Sequence, residues 1–276
     1  MNECTGNYYI LNGELQPTAL FDNSVVYEGE SIYEVLRMVR GLPVFFYDHT
    51  ERLKTSVQLQ GKTMLASVDR IRQDIISLTG SDKKKEINLK IVFNYNIGSE
   101  NYLVYYIEPI YPSAEQYKKG VKGILFRAER KDPASKVIDH KLRSEIYHKL
   151  ILDGAYEALL VTHNNCITEG SRSNIFFIEG DNLVTAPDNS VLSGITRRYI
   201  LEICRENDIV VEFECINADK ISDYSSIIMT GTSPVIIPFY RIDNNYFDVK
   251  HHLIGLLRNL YLVKAEESIR RFTRNK

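Results

Sequence analysis

The residue with the clearest chemical potential in this sequence is Glu169, an acid within residues 168–176, which read Thr-Glu-Gly-Ser-Arg-Ser-Asn-Ile-Phe. Apolar runs with the composition of β-strands stand on both sides of it, so its carboxylate is expected to lie partly out of water. A carboxylate in that position normally has a cationic or protonated partner, because an isolated charge is costly to bury. The alternative is a turn acid at the end of a β-hairpin, and the spacing alone favours that alternative.

A β-hairpin is the element that must position this acid. Residues 157–162 form an apolar run, Asn164 and Asn165 follow it, and residues 166–168 continue toward Glu169. Asparagine tolerates positive φ, so an Asn-Asn pair between two strand-like runs predicts a tight turn. The next strand is expected to begin at Asn174.

Further motifs occur in a fixed order around this hairpin. They are Lys136, the run 154–160, the block 168–176, Thr185 with Pro187, and the run 192–197, which reads Leu-Ser-Gly-Ile-Thr-Arg. In type and order they resemble the fold-type IV pyridoxal-phosphate enzymes, also called class IV aminotransferases. That family includes branched-chain and D-amino-acid aminotransferases and aminodeoxychorismate lyase. The resemblance covers nearly the whole chain.

The resemblance implies a mixed α/β fold with two domains. The expected division is a smaller N-terminal α/β domain, residues 1–112, and a larger cofactor-binding domain with a β-barrel-like core, residues 113–276. Residues 108–113 contain two prolines and no periodicity, which is typical of a linker. The family also works as a homodimer with its sites near the subunit boundary, and the same is expected of this chain.

The implied cofactor is pyridoxal 5′-phosphate, which needs an amine to hold its aldehyde as a Schiff base and to move the α-proton of the substrate. Counting back from Gly154 selects Lys136 for this catalytic role, and its competitor Lys141 then falls on a helix. Glu169 matches the family acid that keeps the pyridine nitrogen protonated. The resemblance therefore gives Glu169 a cationic partner in the cofactor itself.

Phosphate binding is expected from three places in the sequence. Arg52 occupies the family's His-x-x-Arg-Leu motif, and a guanidinium is always charged and can bind phosphate oxygens with two parallel hydrogen bonds. Ile195 and Thr196 follow Gly194 at a predicted helix N-terminus, where backbone N–H groups favour an anion. Gly231 and Thr232 offer a second turn.

Substrate contacts are expected from Tyr33, Asn94 and Ser233. Tyr33 lies in the motif Tyr-Glu-Val-Leu-Arg, which resembles the aminotransferase version of the family pattern. Many aminotransferases of the family carry an arginine near Asn94 that binds the substrate carboxylate, and this sequence does not. Asp139 and His140 also replace the asparagine-containing pair that usually follows the lysine.

Composition limits the other possibilities. The chain has 276 residues, 44% hydrophobic and 25% charged, with a formal net charge of −2, which favours neither nucleic acid nor an anionic membrane as a partner. A cytoplasmic location is expected, since the sequence has neither a charged-then-apolar leader nor a run of eighteen apolar residues. The four cysteines lack Cys-x-x-Cys spacing and are expected to be reduced, and His251-His252 is expected to be solvated with no metal site.

The predicted reaction is amino transfer between an amino acid and a 2-oxo acid, with branched-chain amino acids as one candidate class of substrate. Aminodeoxychorismate lyase, which releases pyruvate with the same cofactor and lysine, is the first alternative. A cofactor-binding protein without turnover is the second, suggested by Asp139-His140 and the missing arginine. The sequence leaves these alternatives open.

Overall fold

The computed structural model describes residues 3–130 and 132–274. The chain divides into two compact units. The first comprises the residues up to Ile110, the segment Ser135–Ile138 and the residues from Ala265 onward; the second comprises Tyr111–Ala134 and Asp139–Lys264. The break after Ile110 falls in the expected linker. The units differ from the predicted ranges 1–112 and 113–276 by two segments that return to the first unit.

The first unit is built around a six-stranded sheet in the order β2-β1-β6-β5-β3-β4, with antiparallel neighbours throughout. Its elements are β1 Thr5–Leu11, β2 Glu14–Pro17, α1 Ser24–Tyr27, β3 Glu30–Val39, β4 Leu42–Pro43, α2 Phe46–Leu59, α3 Val68–Asp82, β5 Ile87–Asn96 and β6 Ser99–Ile107.

Local sequence explains the turns and the helices of this unit. Asn12 and Gly13 both have positive φ between β1 and β2, as the Asn-Gly pair predicts. Leu53 and Val57 of α2 and Ile71 and Ile75 of α3 are buried in one core against the sheet, in keeping with their helical spacing.

The start of α2 differs from the one that its sequence predicts. The pattern around Asp48 predicts that this residue caps the helix, but α2 begins at Phe46, and Phe45 is its N-cap residue with a left-handed conformation. The backbone N–H of Phe45 donates to Ser268 Oγ at 2.9 Å, a partner far along the chain that local patterns do not reveal. Asp48 lies in the first turn of α2, where its negative charge interacts favourably with the helix dipole.

The second unit is built around a ten-stranded sheet in the order β12-β11-β10-β14-β15-β7-β8-β9-β13, with β16 paired to β15. Its elements are α4 Ala114–Lys119, β7 Val121–Arg127, α5 His140–Asp153, β8 Glu157–Val161, β9 Cys166–Gly170, β10 Asn174–Glu179, β11 Asn182–Thr185, α6 Ile195–Glu206, β12 Val211–Phe213, β13 Ile216–Asn217, β14 Ser226–Gly231, β15 Val235–Ile242 and β16 Asn245–Tyr246. The last helix, α7 His252–Arg274, belongs to the second unit up to Lys264 and to the first from Ala265 onward.

The predicted hairpin is present in this sheet. β8 and β9 are antiparallel, and Asn165 between them has φ +62°. β8 is buried along its whole length, with β7 parallel to it on its other side, which explains its near-continuous apolar sequence. No helix in the part of the chain that the structure describes is both long and apolar enough to span a membrane.

The expectation of four reduced cysteines is wrong for two of them. Cys166 and Cys215 form a disulfide with their Cα atoms 5.5 Å apart, whereas Cys4 and Cys204 are buried and are not disulfide-bonded. The two bonded residues are 49 positions apart. They meet because β13 pairs antiparallel with β9, a non-local pairing that cysteine spacing does not encode.

Candidate functional site

Lys136 lies beside the first residues of β3, and backbone hydrogen bonds to Ser31 and Tyr33 hold its segment there. Its carbonyl accepts from the N–H of Tyr33 at 3.1 Å, and the N–H of Ile138 donates to the carbonyl of Ser31 at 3.1 Å. The backbone N–H of Lys136 also donates to Ser56 Oγ on α2 at 3.3 Å. The structure therefore brings the predicted lysine beside the predicted Tyr33, with Lys136 Nζ 4.9 Å from the centroid of the Tyr33 ring.

Arg52 is fixed by a buried carboxylate that the sequence analysis did not single out. Its Nε and Nη2 donate to the two oxygens of Glu34, each at 2.7 Å. His49 Nδ1 is 2.7 Å from Glu34 Oε2, so three ring or guanidinium nitrogens surround one acid. The spacing of these residues could have revealed the cluster, because Glu34 points from β3 toward the α2 face that carries His49 and Arg52.

Charge explains how this cluster is held in one protonation state. Burial alone would raise the pKa of Glu34, but the charge of Arg52 and the hydrogen bonds from Arg52 and His49 outweigh burial and lower that pKa to about 2. Burial lowers the pKa of His49; the contact with Glu34 opposes this, and the charges of Arg52 and Lys136 add to the lowering. The cluster thus contains a carboxylate, a guanidinium and a neutral imidazole near pH 7.

The side chain of Asn94 forms its hydrogen bonds with residues of the first unit. Its side chain is buried on β5, and Nδ2 donates to the carbonyl of Glu28 at 2.7 Å and to Ser31 Oγ at 2.9 Å. Ser31 is the residue whose carbonyl binds Ile138, next to the lysine segment. The geometry therefore favours a role for Asn94 in supporting the backbone around Lys136, and its predicted substrate contact stays a prediction.

Glu169 is buried near the end of β9, and both of its oxygens have partners. Arg130 Nη1 donates to Oε1 at 3.1 Å, and the backbone N–H of Leu192 donates to Oε2 at 3.1 Å. The cationic partner that its burial required is therefore present in the chain itself. Arg130 was missed because it lies 39 residues away in a loop after β7, with only its charge as a signal.

Glu157 is a second acid that the sequence analysis missed. It is fully buried on β8, and its Oε1 accepts from the N–H of Ala158 at 2.9 Å and from the N–H and Oγ of Ser171 at 3.1 and 2.5 Å. Its Oε2 accepts from Ser173 Oγ at 2.9 Å. The turn that follows Glu169 is thus fixed by one carboxylate. The signal available in the sequence was the position of this acid at the start of the otherwise apolar strand β8.

The predicted helix N-terminus is present at α6. Gly194 is its N-cap residue, and within the described ranges no side chain accepts a hydrogen bond there as a cap. A Cβ at Gly194 would lie 2.0 Å from Asn174 Oδ1, so any other residue there would require the Asn174 side chain to move. Ile195 and Thr196 are both buried, and Thr196 Oγ1 lies 3.3 Å from Tyr261 Oη.

Gly231, Thr232 and Ser233 lie together where β14 turns into β15. Gly231 pairs with Val235, and Val235 has φ +59°, an uncommon conformation for a β-branched residue. All three predicted residues are half-buried. The turn therefore presents Gly231, Thr232 and Ser233 in one place, as the sequence predicted, on a constrained backbone.

The competitor lysine lies elsewhere. Lys141 is exposed on α5 in the second unit, whereas Lys136 belongs to the first. Asp139 caps α5 by accepting from the N–H of Leu142 at 3.0 Å, which explains this departure from the family pattern as a helix cap. His140 is exposed as the first residue of that helix.

One group of residues outside these clusters has the composition of a metal site. Asp181, His251 and His252 bring one ligand atom each to within 4.8 Å of one another, where a solvated histidine pair was expected. His252 is the first residue of α7, and the positive end of the helix dipole disfavours a cation there. A negative charge is favourable at this end of the dipole, which explains the position of Asp181, whose Oδ1 is 3.4 Å from His252 Nε2.

Comparisons with known proteins identify the family of this chain. The model of amino-transferase class IV matches residues 31–242, more than half of the chain. The chain is 24% identical over 230 residues to a D-alanine aminotransferase of Bacillus licheniformis, covering 78% of this chain and 80% of that protein. It is 22% identical over 264 residues to an aminodeoxychorismate lyase of Bacillus subtilis, covering 90% of each.

A solved structure shows the same fold. A branched-chain amino acid aminotransferase from T.th. with pyridoxamine 5′-phosphate superposes with a TM-score of 0.83 at 20% identity, covering 97% of this chain and 96% of that one. The predicted fold-type IV architecture is confirmed. Class IV aminotransferases use pyridoxal phosphate. On the family match across residues 31–242, this chain belongs to amino-transferase class IV.

Proposed function

We propose that this chain is a pyridoxal-phosphate-dependent aminotransferase that moves an amino group between an amino acid and a 2-oxo acid, with Lys136 as its catalytic amine. The observation that carries the proposal is the position of Lys136. Two hydrogen bonds of its own backbone and a third made by Ile138 hold it beside Tyr33, and its charge acts on His49 in the cluster that fixes Arg52. Lys141, in contrast, is exposed on α5.

The residues present fit the cofactor. Arg52 offers a guanidinium oriented by Glu34, and Gly194, Ile195 and Thr196 begin a helix whose N-terminus lacks a side-chain cap within the described ranges. Both suit a phosphate group. Gly231 and Thr232 add a constrained turn. Glu169 offers a buried carboxylate to the ring nitrogen.

When bound, the cofactor supplies an electron sink that acidifies the α-hydrogen of an amino acid. Lys136 would hold the cofactor through its amine, and the same amine, once the amino acid has displaced it, would take the α-hydrogen of that amino acid as a proton. Glu169 would support a proton on the ring nitrogen, and hydrogen bonds from Arg130 and from the N–H of Leu192 hold the Glu169 carboxylate in place. Tyr33 and Ser233 are the proposed substrate contacts.

The lyase is the second candidate. The alignment with an aminodeoxychorismate lyase covers 90% of both chains, and the same lysine chemistry would serve a reaction that releases pyruvate. The possible branched-chain preference, the homodimer and the cytoplasmic location are further parts of the proposal. Light scattering of the purified protein tests the dimer.

A labelled-nitrogen assay tests the function. The loaded protein receives a panel of ¹⁵N-labelled amino acids with and without 2-oxo acids, and mass spectrometry follows the label. Transfer of the label to a new amino acid supports the proposal. Pyruvate release from aminodeoxychorismate supports the lyase, and neither result indicates a protein that binds the cofactor without turnover.

Lys136→Ala is expected to abolish turnover, with Lys141→Ala as the matched control that retains it. Borohydride reduction followed by peptide mapping should find the cofactor on Lys136. Covalent cofactor on the Lys141 peptide would refute the assignment.

A further inference from the structure

A second lysine of the first unit is buried beside Tyr33. Lys90 lies on β5, where Val35 is its partner on β3, and its side chain is 3% exposed. Its Nζ pairs with Glu3 Oε1 and lies 5.3 Å from the centroid of the Tyr33 ring and 5.7 Å from that of Tyr105. A buried ammonium needs such partners, because desolvation of an unpaired charge is costly.

The carboxylate of Glu3 lies in a set of donors formed by other parts of the chain. Tyr105 Oη donates to Oε1 at 2.7 Å and Tyr27 Oη donates to Oε2 at 3.0 Å, in addition to the Lys90 ion pair. Burial raises the pKa of Glu3, but Lys90 and the two phenols outweigh it and place the pKa below its usual value. We define the group of Lys90, Tyr27 and Tyr105 as the acid cradle.

Glu3 occupies the acid cradle from its open side. Its side chain is 23% exposed, whereas that of Lys90 is 3% exposed. Glu3 precedes β1, so its carboxylate can leave without breaking a strand. Departure of Glu3 would remove a carboxylate that pairs with the buried Lys90 ammonium, so the cradle would favour another carboxylate in its place.

The acid cradle is within reach of the catalytic amine. The centroid of the Tyr33 ring is 5.3 Å from Lys90 Nζ and 4.9 Å from Lys136 Nζ, so the two nitrogens are at most about 10 Å apart. A molecule that presents a nitrogen or oxygen to Lys136 and a carboxylate two or three carbons away is long enough to reach both, because a hydrogen bond of about 3 Å at each end adds to its own length.

We propose that the acid cradle is a carboxylate subsite, which Glu3 occupies as an internal ligand until the carboxylate of a bound molecule displaces it. The subsite gives the chain a preference for ligands with a carboxylate distant from the reacting nitrogen. Naming that ligand as the amino donor or acceptor rests on the proposed function; the subsite and the displacement of Glu3 do not.

Calorimetric titration with glutarate tests the proposal without turnover. Glu3→Ala removes the internal competitor, so glutarate should bind about tenfold or more tightly than to the native chain, the scale of one charge-assisted contact. Glu14→Ala, which removes an exposed acid on β2, is the control for net charge and should leave the affinity unchanged. Glutaramide, which lacks the carboxylates, should show no gain with Glu3→Ala.

Lys90→Met separates a subsite from a structural ion pair. In the Lys90→Met background, Glu3→Ala should no longer increase glutarate affinity, because the shared partner is absent. If Lys90→Met does not fold, Tyr105→Phe replaces it, keeping the ring and removing one donor; combined with Glu3→Ala it should reduce the gain severalfold. Equal or weaker glutarate binding by Glu3→Ala, or a gain that persists without Lys90, overturns the proposal.

The two proposals fail separately. A gain in glutarate affinity with no labelled-nitrogen transfer would retain the subsite and remove the aminotransferase. Transfer of the label without any effect of Glu3→Ala on glutarate binding would retain the aminotransferase and remove the subsite. Thermal unfolding adds a check on Glu3→Ala: its Tm should fall without ligand and should rise with glutarate by more than that of the native chain.

Discussion

Each unit of this protein contains a buried pair of a glutamate and an arginine, but the two pairs differ in which member is the more deeply enclosed and which is left to act. In the first unit Glu34 is 0% exposed and Arg52 11%; in the second Glu169 is 5% exposed and Arg130 22%. Glu34 is enclosed by three donors from α2, so it acts as the fixed member that orients a cation. Glu169 has one oxygen bonded to a backbone N–H and the other to Arg130, so here the cation supports an acid.

The difference shows how one type of contact can prepare two sites. A guanidinium held through Nε and Nη2 keeps its plane in one orientation, which suits a phosphate. A carboxylate held by a backbone amide and an arginine keeps its negative charge, which suits a protonated ring nitrogen. We infer that substitutions of the acid in the first unit act mainly on stability, and those of the acid in the second mainly on chemistry.

Glu34→Ala should have the largest effect on stability. It leaves the Arg52 and His49 nitrogens without their acceptor in a buried place, so we expect a loss of about 3–5 kcal/mol in the free energy of unfolding. Denaturant titration measures it. Asp74→Ala, which breaks the Arg70–Asp74 pair of α3 with its half-exposed arginine, is the matched control and should cost less. Equal losses would remove the special role given to Glu34.

The same acid predicts a pH dependence. Its folded pKa of about 2 lies below its ordinary value of 4.5, so its stabilisation is present above about pH 4.5 and is lost as the pH falls toward 2. Glu34→Gln should therefore reduce the difference in unfolding free energy between pH 6 and pH 3. An unchanged pH profile would contradict an ionised Glu34.

Glu169→Gln should act on the rate. A neutral amide can still bond to the ring nitrogen but no longer stabilises a proton there, so removal of the substrate α-hydrogen should slow by roughly 10²-fold, while cofactor affinity changes less. Exchange of the α-hydrogen for solvent deuterium measures this step at saturating amino acid. Equal exchange rates with the cofactor fully bound would make Glu169 only a hairpin residue.

Arg52→Ala should weaken cofactor binding by roughly 1.5–3 kcal/mol through loss of a charge-assisted phosphate contact. Equilibrium dialysis with pyridoxal phosphate and with pyridoxal, which lacks the phosphate, isolates that contact: only the first should bind less tightly. Since the variant also removes a partner of Glu34, affinities are compared well below its Tm. Arg70→Ala is the control. A common loss for both ligands would assign Arg52 to stability alone.

Glu157→Gln should give the smallest effect, a decrease of about 1 kcal/mol or less in unfolding free energy, since the amide keeps one acceptor for the Ser171 and Ser173 donors. If Glu157 positions Glu169 through this turn, α-hydrogen exchange should slow in Glu157→Ala and recover in Glu157→Gln. Loss of stability in Glu157→Ala with normal exchange would limit Glu157 to folding.

Local patterns in the sequence predicted the parts of the molecule that local physics determines. Asn12-Gly13 and Asn165 adopt the predicted positive φ because few other residues do so at low cost. The ordered motifs, which include Lys136 and Glu169, predicted the family's fold, and the solved relative confirms that fold. The assigned roles of these residues stay predictions.

Pairings across long sequence separations were not predictable in this way. Arg130 meets Glu169 across 39 residues, Cys166 meets Cys215 across 49, and Lys90 meets Glu3 across 87. These contacts depend on strand order and on loop paths, which hydrophobic periodicity does not specify. Charge alone could not distinguish Arg130 or Lys90 from the other basic residues of the chain.

The return of residues 135–138 to the first unit has a consequence for anyone who recombines this protein with a relative. Lys136 is numbered among residues of the second unit, yet its backbone is hydrogen-bonded to β3 and α2 of the first. A chimaera joined only at the linker near Ile110 would take its sheet from one parent and Lys136, the proposed catalytic lysine, from the other. A graft that keeps them matched must exchange four residues at a second, separate place, together with the last turns of α7 from Ala265 onward.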